Sequence, residues 1–474
     1  MGDEVEAEVE VVIPFNLSLS LNLNLNLNLS LFVGEFVLEE NATGNLSPFS
    51  FFLSLFSFLL LSLYFYLLSF WYLCHVKKRV VVGLSGGVDS SVAAWVLKEQ
   101  GYDVTGLFMK NWHDTTGLLQ SDCHWEDDLM FAEMVAKKLE IHFHQVDLSV
   151  PYRKKVVDYM FAEYEKGRTP NPDVLCNREI KFDSFAGEAR KLGGDFVATG
   201  HYCRKEEKIS EGKTIFRLLS GKDNNKDQSY FLCQLNQEQL ASALFPIGDL
   251  TKPEVRRIAE KLGLATAQRK DSQGICFVGK VHLPTFLQQK LEAKKGNIVE
   301  IKDRGIYPVI EEGIPAREPA EDLLSKTTDP FKYEPSQGEI IGEHNGAHFF
   351  TIGQRKGMNV GGHKEPLFVI GTDVERNIVY VGEGHEHPGL NRKGLFIRKD
   401  EIHWIRTDLM MAEGESRDYM VRIRYRQPLQ AARLFCREKG LYIIFDQPQR
   451  GIAPGQFAAF YDDDELIGSG VIDK

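Results

Sequence analysis

The chain has 474 residues, enough for two or three domains that each bury a hydrophobic core. Its 56 Lys and Arg against 67 Asp and Glu give a formal net charge of -11 at pH 7. Eight of the acids and none of the bases lie in residues 1–75, which leaves 59 acidic against 56 basic residues elsewhere. This nearly neutral remainder permits local basic patches that face RNA. Seven scattered cysteines without a CxxC exclude the pattern of a secreted disulfide framework or a zinc ribbon.

Residues 1–75 form an atypical leader. Within it, residues 16–31 alternate Leu with Asn or Ser, a pattern that favours a strand. Residues 49–73 are apolar and uncharged, end on aromatic side chains and precede Lys77, as in a membrane-spanning helix. Against an anchor, this run stops a few residues before the first predicted strand, and the acidic, Arg-free start is unlike an organellar transit peptide. A membrane span, a processed leader and a misjudged translation start all stay open.

A glycine-rich string follows the first predicted core strand. Residues 80–84, VVVGL, predict a short buried strand, SGGVDSS follows at residues 85–91, and a helix is predicted from residue 91 or 92 to about 100. Such a loop points backbone N–H groups at an anion, and Asp89 can hold a metal ion that bridges phosphates. A tight turn without a ligand is the alternative. The complete string resembles the pyrophosphate loop of the ATP-pyrophosphatase superfamily.

Strands and helices then alternate, which predicts a doubly wound parallel sheet of the α/β class. The predicted segments are strands at 104–109, 142–147 and 196–200, helices near 126–140 and 153–166, and a capped helix at 251–262. Ligands of such sheets lie at the carboxyl ends of the strands. Met109, Gly200 and His201 fall at these ends and are predicted to line the nucleotide or its acceptor. Core packing or a tight turn explains Met109 and Gly200 equally well.

Two cysteines stand in contexts that favour chemistry. In TPNPDVLCNREIKF, residues 169–182, Asp173 and Cys176 lie three apart at the predicted start of a helix. The helix dipole and the nearby Arg178 and Lys181 are expected to activate this thiol, and Asp173 could move a proton. Cys276 lies in a glycine-flanked loop just after two cations. Burial as inert thiols is the alternative for both, and it is the interpretation for the other five cysteines, including Cys203 and Cys233.

Seven strings occur in an order that resembles the tRNA-specific 2-thiouridylase family from residue 79 to the end. They are SGGVDSS (85–91), GLFMKNW (106–112), TPNPDVLCNREIKF (169–182), ATGHY (198–202), KDQSYFL (226–232), DSQGICFVG (271–279) and FTIGQRKG (350–357). The resemblance implies a HUP-like ATP-pyrophosphatase fold. It also implies an enzyme that adenylates the C2 oxygen of the wobble uridine of tRNA and replaces that oxygen with persulfide sulfur.

The resemblance implies roles for individual residues. Asp173 is implied as acid and base, Cys276 as the persulfide carrier and Cys176 as the second catalytic cysteine. The implied ATP-binding residues are Gly83, Leu84, Ser85, Gly86, Gly87, Val88, Asp89, Ser90, Met109 and Gly200, with Mg²⁺ accompanying ATP near Asp89. The implied tRNA contacts are Asn171, Pro172, Asp173, His201, Lys226, Asp227, Gln228, Arg424, Tyr425 and Gln456.

Beyond residue 283 short strands with Gly, Asn and Pro turns predict small β domains. The predicted domains are the leader 1–75, the catalytic domain 76–282, a central β-rich domain 283–385 and a C-terminal β-barrel 386–474. Residues 311–336 predict an inserted surface loop, because they are rich in Pro, Glu and Asp and lack periodicity. Residues 421–426, VRIRYR, predict three guanidinium groups on one strand face, either solvated or in contact with phosphate.

Two other functions stay open at this point. One is a superfamily relative that attacks an adenylated substrate with nitrogen and has no need of the two cysteines. The other is a membrane-tethered protein that binds RNA or nucleotide without turnover. The family resemblance further implies wobble-uridine tRNAs such as those for Lys, Glu and Gln, and a persulfide donor protein. It implies a mitochondrial or plastid location in a eukaryote and a cytoplasmic one otherwise, with membrane association through residues 49–73 left open.

Overall fold

The computed structural model describes residues 62, 77–111, 125–270, 283–288, 290–307 and 318–474. The chain divides into two compact units, residues 1–77 and residues 78–474. All elements given below belong to the second unit. Among the described residues no helix combines the length and the apolar character needed to cross a membrane. The alternating segment 16–31 and the apolar run 49–73 lie outside the described residues.

A parallel sheet forms the base of the N-terminal half. The strands of this half are β1 Arg79–Gly83, β2 Asp103–Lys110, β3 His142–Asp147, β4 Phe196–Ala198, β5 Cys203–Ser210, β6 Lys213–Ser220 and β7 Ala243–Leu244. Five of them pair in the order β3-β2-β1-β4-β7, and every pairing is parallel. The chain moves outward from β1 to β3 and then returns to β4 on the other side of β1. The doubly wound α/β prediction is therefore confirmed, with its switch point between β1 and β4.

The helices of this half are α1 Val88–Glu99, α2 Trp125–Leu139, α3 Ser149–Tyr152, α4 Asp158–Glu165, α5 Pro172–Leu175, α6 Phe185–Lys191, α7 Gln237–Ser242 and α8 Lys252–Lys261. Helix α1 begins three residues earlier than predicted, since the glycine loop itself supplies its N-cap. The predicted helix near 153–166 is longer and contains the π-helical segment Arg153–Val157. The Thr251–Glu254 capping box of α8 is confirmed, because the Glu254 carboxylate accepts the Thr251 N–H at 2.7 Å.

The central part is a four-stranded mixed sheet. Its strands are β8 Gly296–Glu300, β9 Glu339–His344, β10 Leu367–Asp373 and β11 Ile378–Glu383, in the order β10-β11-β8-β9. Helix α9 Leu283–Leu287 precedes β8 in the chain, and helix α10 Glu321–Thr328 lies between β8 and β9. The prediction of a surface loop across 311–336 is wrong for α10, whose buried Leu324 packs in a cluster with Phe396 and Tyr442. A single apolar anchor of this kind leaves no periodicity in the sequence.

The C-terminal part is an antiparallel barrel. Its strands are β12 Asn391–Arg398, β13 Ile402–Trp404, β14 Ser416–Arg422, β15 Gln430–Arg437, β16 Gly440–Arg450, β17 Phe457–Asp462 and β18 Glu465–Val471. They pair in the order β12-β16-β15-β14-β17-β18. The Phe396 N–H donates to the Lys474 carbonyl at 2.8 Å and the Asp473 N–H to the Phe396 carbonyl at 2.9 Å. The end of the chain thereby closes the sheet on its first strand, and the barrel prediction is confirmed.

The hairpin β5–β6 joins this barrel although it precedes it by about two hundred residues in the sequence. Leu219 of β6 pairs with Glu465 of β18, and Leu218 pairs with Leu466. The hairpin was not predicted as a bridge between domains, because nothing in residues 203–220 indicates its distant partner. Short 3₁₀ helices lie in the connections at Ser229–Leu232, Pro335–Gln337, Ala347–Phe349, Pro388–Leu390, Lys399–Glu401 and Thr407–Leu409.

Candidate active site

Serine hydroxyls shape the loop between β1 and α1. The Ser85 N–H donates to Ser90 Oγ at 3.2 Å, and the Ser90 and Ser91 hydroxyls donate to the Gly87 carbonyl at 3.1 and 2.7 Å. Gly87 is the N-cap of α1 and has no side chain to cap the first turn. The amide groups of that turn are therefore left for another acceptor, at the positive end of the helix dipole. This is the arrangement that binds a phosphate.

Gly86 allows this loop to lie against helix α2. Its φ is +73°, and an added Cβ would overlap the Asp128 carbonyl oxygen and lie 2.8 Å from the Asp128 Cα. Arg269 closes the same contact from another side: it donates to the Gly86 carbonyl at 2.8 Å and pairs with the Asp128 carboxylate at 2.9 Å. Arg269 was not predicted as part of the site, because its partners Asp128 and Gly86 lie about 140 and 183 residues before it in the chain.

The Lys252 ammonium forms an ion pair with the Asp89 carboxylate. Its nitrogen lies 2.7 and 2.8 Å from the two Asp89 oxygens, and the Tyr202 hydroxyl donates to one of them at 2.7 Å. Lys252 is largely buried at the first position of α8, beside the glycine loop. The predicted Mg²⁺ near Asp89 does not fit this arrangement unless Lys252 leaves. The cation that the structure places on Asp89 is this ammonium, whose partner lies 163 positions away in the chain.

The residues predicted to surround ATP lie together at the carboxyl ends of β1, β2 and β4. A Cβ on Gly200 would lie 2.7 Å from the Ser90 N, so the turn after β4 packs directly on the start of α1. Met109 is buried in β2, with its Cε 3.7 Å from the place of a Cβ on Gly83. Two residues beyond Met109, Asn111 is only 2% exposed, and its amide has no hydrogen-bond partner among the described residues. Such a group marks a polar edge beside the predicted nucleotide position.

Asp173 and Cys176 lie in the first turns of one helical segment. Asn171 caps α5 by accepting the Val174 N–H at 3.3 Å, and Pro172 occupies a first-turn position where its missing N–H costs nothing. Asp173 is half-buried, whereas Cys176 is fully buried where α5 widens into the π-helix Cys176–Ser184. The predicted helix start is confirmed. π-helical turns are rare and concentrate at functional sites, and this one was not predicted.

Two other domains hold the loop before this helix. Gln456, in the turn before β17, donates to the carbonyls of Thr169 and Pro170 at 2.9 and 3.3 Å and accepts from the Asn171 amide at 3.5 Å. From the central part, the Thr351 hydroxyl lies 3.0 Å from that of Thr169. The three parts of the chain therefore meet at the loop that carries the candidate catalytic residues.

Comparisons with known proteins agree with this three-part arrangement. Family models match as a "tRNA methyl transferase HUP domain" at residues 78–280, a "tRNA methyl transferase PRC-barrel domain" at 329–383 and an "Aminomethyltransferase beta-barrel domain" at 395–472. The tRNA-specific 2-thiouridylase MnmA of Christiangramia forsetii is 60% identical over 395 residues, which are 83% of this chain and all of that protein. That of Flavobacterium johnsoniae is 59% identical over 83% of this chain and all of its own length.

The chain belongs to the tRNA-specific 2-thiouridylase family. A relative of the same name from Streptococcus thermophilus is 44% identical over 84% of this chain and 96% of its own length. Among solved structures, a 4-thiouridine synthetase–RNA complex with bound ATP is 15% identical over 45% of this chain and 50% of its own, with a TM-score of 0.27. A likeness that weak adds nothing to the family assignment, which rests on the sequence relatives.

The prediction that residues 421–426 place three guanidinium groups on one strand face is wrong. Strand β14 ends at Arg422, so the three guanidinium groups do not share a strand face. Arg422 turns inward and pairs with Asp227 at 3.0 Å. Arg424 and Arg426 are exposed in the following turn, and the Tyr425 ring packs on Phe231 with centroids 4.4 Å apart. The Tyr425 ring lies near the Cys176 helix, because Phe231 also accepts a hydrogen bond from the Asn177 amide, and contact of Arg424 and Tyr425 with tRNA stays a prediction.

Other predicted tRNA contacts are turned into the protein. The buried Asp227 carboxylate accepts from the N–H groups of Gly221 and Ser229 at 3.1 Å in addition to its Arg422 pair. Gln228 accepts the Tyr202 N–H at 3.0 Å. His201 is buried beside Thr199, and its burial, with Lys181 nearby, holds the pKa of its imidazole well below the ordinary value.

Burial alone does not separate the described thiols, because Cys176 is as fully buried as Cys203 and Cys233. Burial raises the pKa of the Cys233 thiol to about 12 and that of Cys203 well above its ordinary value. A raised thiol pKa is typical of an inert cysteine, and the division into catalytic and inert thiols stays a prediction. Arg178, predicted to activate Cys176, instead binds Glu179 at 2.8 Å and Gln234 at 2.8 Å. Cys276 lies outside the described residues.

Proposed function

We propose that this chain is a tRNA-uridine 2-sulfurtransferase that converts a tRNA uridine to 2-thiouridine. The observation that carries the proposal is a match to a 2-thiouridylase over 83% of this chain and all of that relative, combined with a carboxylate and a thiol, Asp173 and Cys176, on adjoining turns of one helix. Within the family assignment, a nitrogen-transferring enzyme and a binding protein without turnover have no support of their own.

The glycine loop, Lys252 and the carboxyl ends of β1, β2 and β4 would hold ATP. Open first-turn amides and one ammonium suit a polyphosphate, and the buried Met109 and Asn111 offer an apolar surface and a polar edge to a base. When bound, ATP supplies the adenylyl group that makes the C2 oxygen of uridine a leaving group. Lys252 would balance the phosphate charge at the position where Mg²⁺ was expected.

Asp173 and the two cysteines would carry the sulfur chemistry. The outer sulfur of a Cys276 persulfide attacks C2, and the activated oxygen leaves as part of AMP. Asp173 accepts the proton that the persulfide loses. The Cys176 thiolate then attacks the inner sulfur of the resulting C2–S–S linkage. This step leaves the sulfur on C2 and forms a Cys176–Cys276 disulfide, which an external thiol reductant must reopen. The persulfide comes from a donor protein, and the substrates are wobble-uridine tRNAs such as those for Lys, Glu and Gln.

Three matched serine variants test these assignments. Cys276→Ser should lose the protein-bound persulfide, whereas Cys176→Ser should accept sulfur but fail to complete transfer to tRNA. Cys436→Ser, at a half-buried thiol of the barrel, is the control that should thiolate tRNA at the normal rate. Oxidation after one turnover should yield a Cys176–Cys276 disulfide in peptide maps, with Cys203 and Cys233 unmodified. Normal thiolation by Cys276→Ser would overturn the sulfur path and leave the nucleotide site unaffected.

A further inference from the structure

Two glutamates and a histidine converge at one end of the central sheet. Glu300 ends β8, Glu383 ends the neighbouring parallel strand β11, and His363 lies in the segment before β10. The His363 Nδ1 is 3.6 Å from a Glu300 oxygen and 3.8 Å from a Glu383 oxygen. One ligand atom from each side chain lies within 4.8 Å of the other two. This cluster plays no part in the function proposed above.

Glu300 is the feature that calls for a ligand. Its side chain is 2% exposed, its Oε1 is the oxygen that lies 3.6 Å from His363, and its Oε2 has no hydrogen-bond partner within the part of the chain that the structure describes. The nearest ammonium, that of Lys302, is 3.6 Å away, is 58% exposed and donates its hydrogen bond to Glu339 instead. A buried carboxylate is costly without a partner that neutralises it and fills its lone pairs. The distances to His363 are also too long for hydrogen bonds.

We propose that Glu300, His363 and Glu383 bind one divalent transition-metal cation. Ligands that hold such an ion at roughly 2.1 Å in a tetrahedron lie about 3.4 Å from each other, close to the two distances that His363 makes here. One imidazole nitrogen with two carboxylate oxygens is a donor set for Zn²⁺ or Mn²⁺. The Glu383 carboxylate is already oriented, because its other oxygen accepts the Glu365 N–H at 2.8 Å.

A cation at this site would fasten the segment between β9 and β10 to the sheet. His363 follows Gly361 and Gly362, where an added Cβ would meet no atom within 4 Å. The same segment begins near Thr351, which contacts Thr169 in the loop that carries Asp173. The ion would therefore stabilise the central domain and, through it, one of the two supports of the catalytic loop. The role proposed for the ion is structural.

The test uses the full chain without a histidine tag and without ATP, because both would bind the probe ions. Zn²⁺ and Mn²⁺ are added separately, and binding is measured by equilibrium dialysis and thermal unfolding. We expect one ion per chain, a rise in the unfolding temperature with ion concentration, and nitrogen modulation from one imidazole in the Mn²⁺ spin-echo spectrum. Glu300→Gln and His363→Gln should each weaken binding at least ~10-fold. Glu343→Gln, an exposed glutamate of the same sheet, should bind as the unchanged chain does.

Folding of the variants is checked without added metal. Glu300→Gln keeps the shape of the side chain and removes a buried charge, so its metal-free unfolding temperature should equal or exceed that of the unchanged chain. Lys302, Arg304 and Glu365 also face the cluster, and Lys302→Met should tighten binding by removing a competing cation. Absence of binding at millimolar ion would overturn the proposal, and so would binding by Glu300→Gln and His363→Gln that is as tight as that of the unchanged chain.

Discussion

Serine hydroxyls fold the nucleotide loop through bonds to residues three to five positions away, whereas the loop before Asp173 is held by Gln456, 285 to 287 residues further along the chain. The first loop is thus shaped largely by its own sequence, and the second depends on the assembly of three domains. This difference implies that damage to a domain contact should impair the use of tRNA while ATP still binds. Damage inside the glycine loop should impair ATP binding and the steps that depend on ATP.

The largest effect is expected at Gly86. Gly86→Ala places a Cβ on the Asp128 backbone and forces a positive φ, which should destabilise the fold by about 3 kcal/mol and abolish pyrophosphate release. Gly87→Ala is the matched control, because its Cβ meets only the Ser85 hydroxyl, at 3.4 Å. It should leave the unfolding temperature unchanged and weaken ATP binding alone. Equal unfolding temperatures for the two variants would contradict this account of the loop.

The next largest effect is expected at Lys252. Lys252→Met removes the partner of Asp89 and the cation beside the loop, so pyrophosphate release should fall by roughly 100-fold and stability should also fall. The double variant Asp89→Asn with Lys252→Met should recover stability but not activity, since the unpaired charge is gone and the phosphate cation is still missing. Lys261→Met, at an exposed lysine of the same helix, is the control. Full activity of Lys252→Met would mean that the pair is only structural.

The features that the sequence could predict are those that depend on residues close together in the chain. The α8 capping box, strand β3 and the Asp173–Cys176 helix start were predictable, because each depends on residues close together in the chain. The Lys252–Asp89 pair and the β6–β18 pairing were not, since they join residues about 160 to 250 positions apart. The Arg422–Asp227 pair even reverses the prediction for both residues. A local pattern shows that a side chain is charged but not which distant group it meets.

A smaller effect is expected at the domain contact. Gln456→Ala removes the donor to the Thr169 and Pro170 carbonyls, so the KM for tRNA should rise about 10-fold, as for the loss of one or two hydrogen bonds. ATP affinity measured without tRNA should not change, because the glycine loop is shaped by its own hydroxyls. Gln447→Ala, at an exposed glutamine of the same barrel, serves as the control. A matching loss of ATP affinity would show that the two loops are not independent.

The smallest effect is expected at His201 and concerns pH. Its folded pKa is depressed, so below about 6.5 the unfolded chain binds a proton that the folded chain does not. Stability should therefore fall as pH drops through that value, by up to about 1.4 kcal/mol for each unit of depression. His201→Asn should flatten the fall between pH 7.5 and 5 in unfolding titrations, whereas the exposed His142→Asn should not. An unchanged slope would mean that the His201 side chain is exposed to solvent, as a contact with tRNA would require.

The proposed conversion of a tRNA uridine to 2-thiouridine can be measured directly by mass spectrometry of tRNA nucleosides. Wobble-uridine tRNA is incubated with the full chain, ATP, a persulfide donor and a thiol reductant, then digested to nucleosides. The account predicts 2-thiouridine in amounts that exceed the enzyme added, none when ATP is left out, and none with Cys176→Ser. Unchanged uridine with the complete mixture, or 2-thiouridine formed equally well by Cys176→Ser, would contradict it.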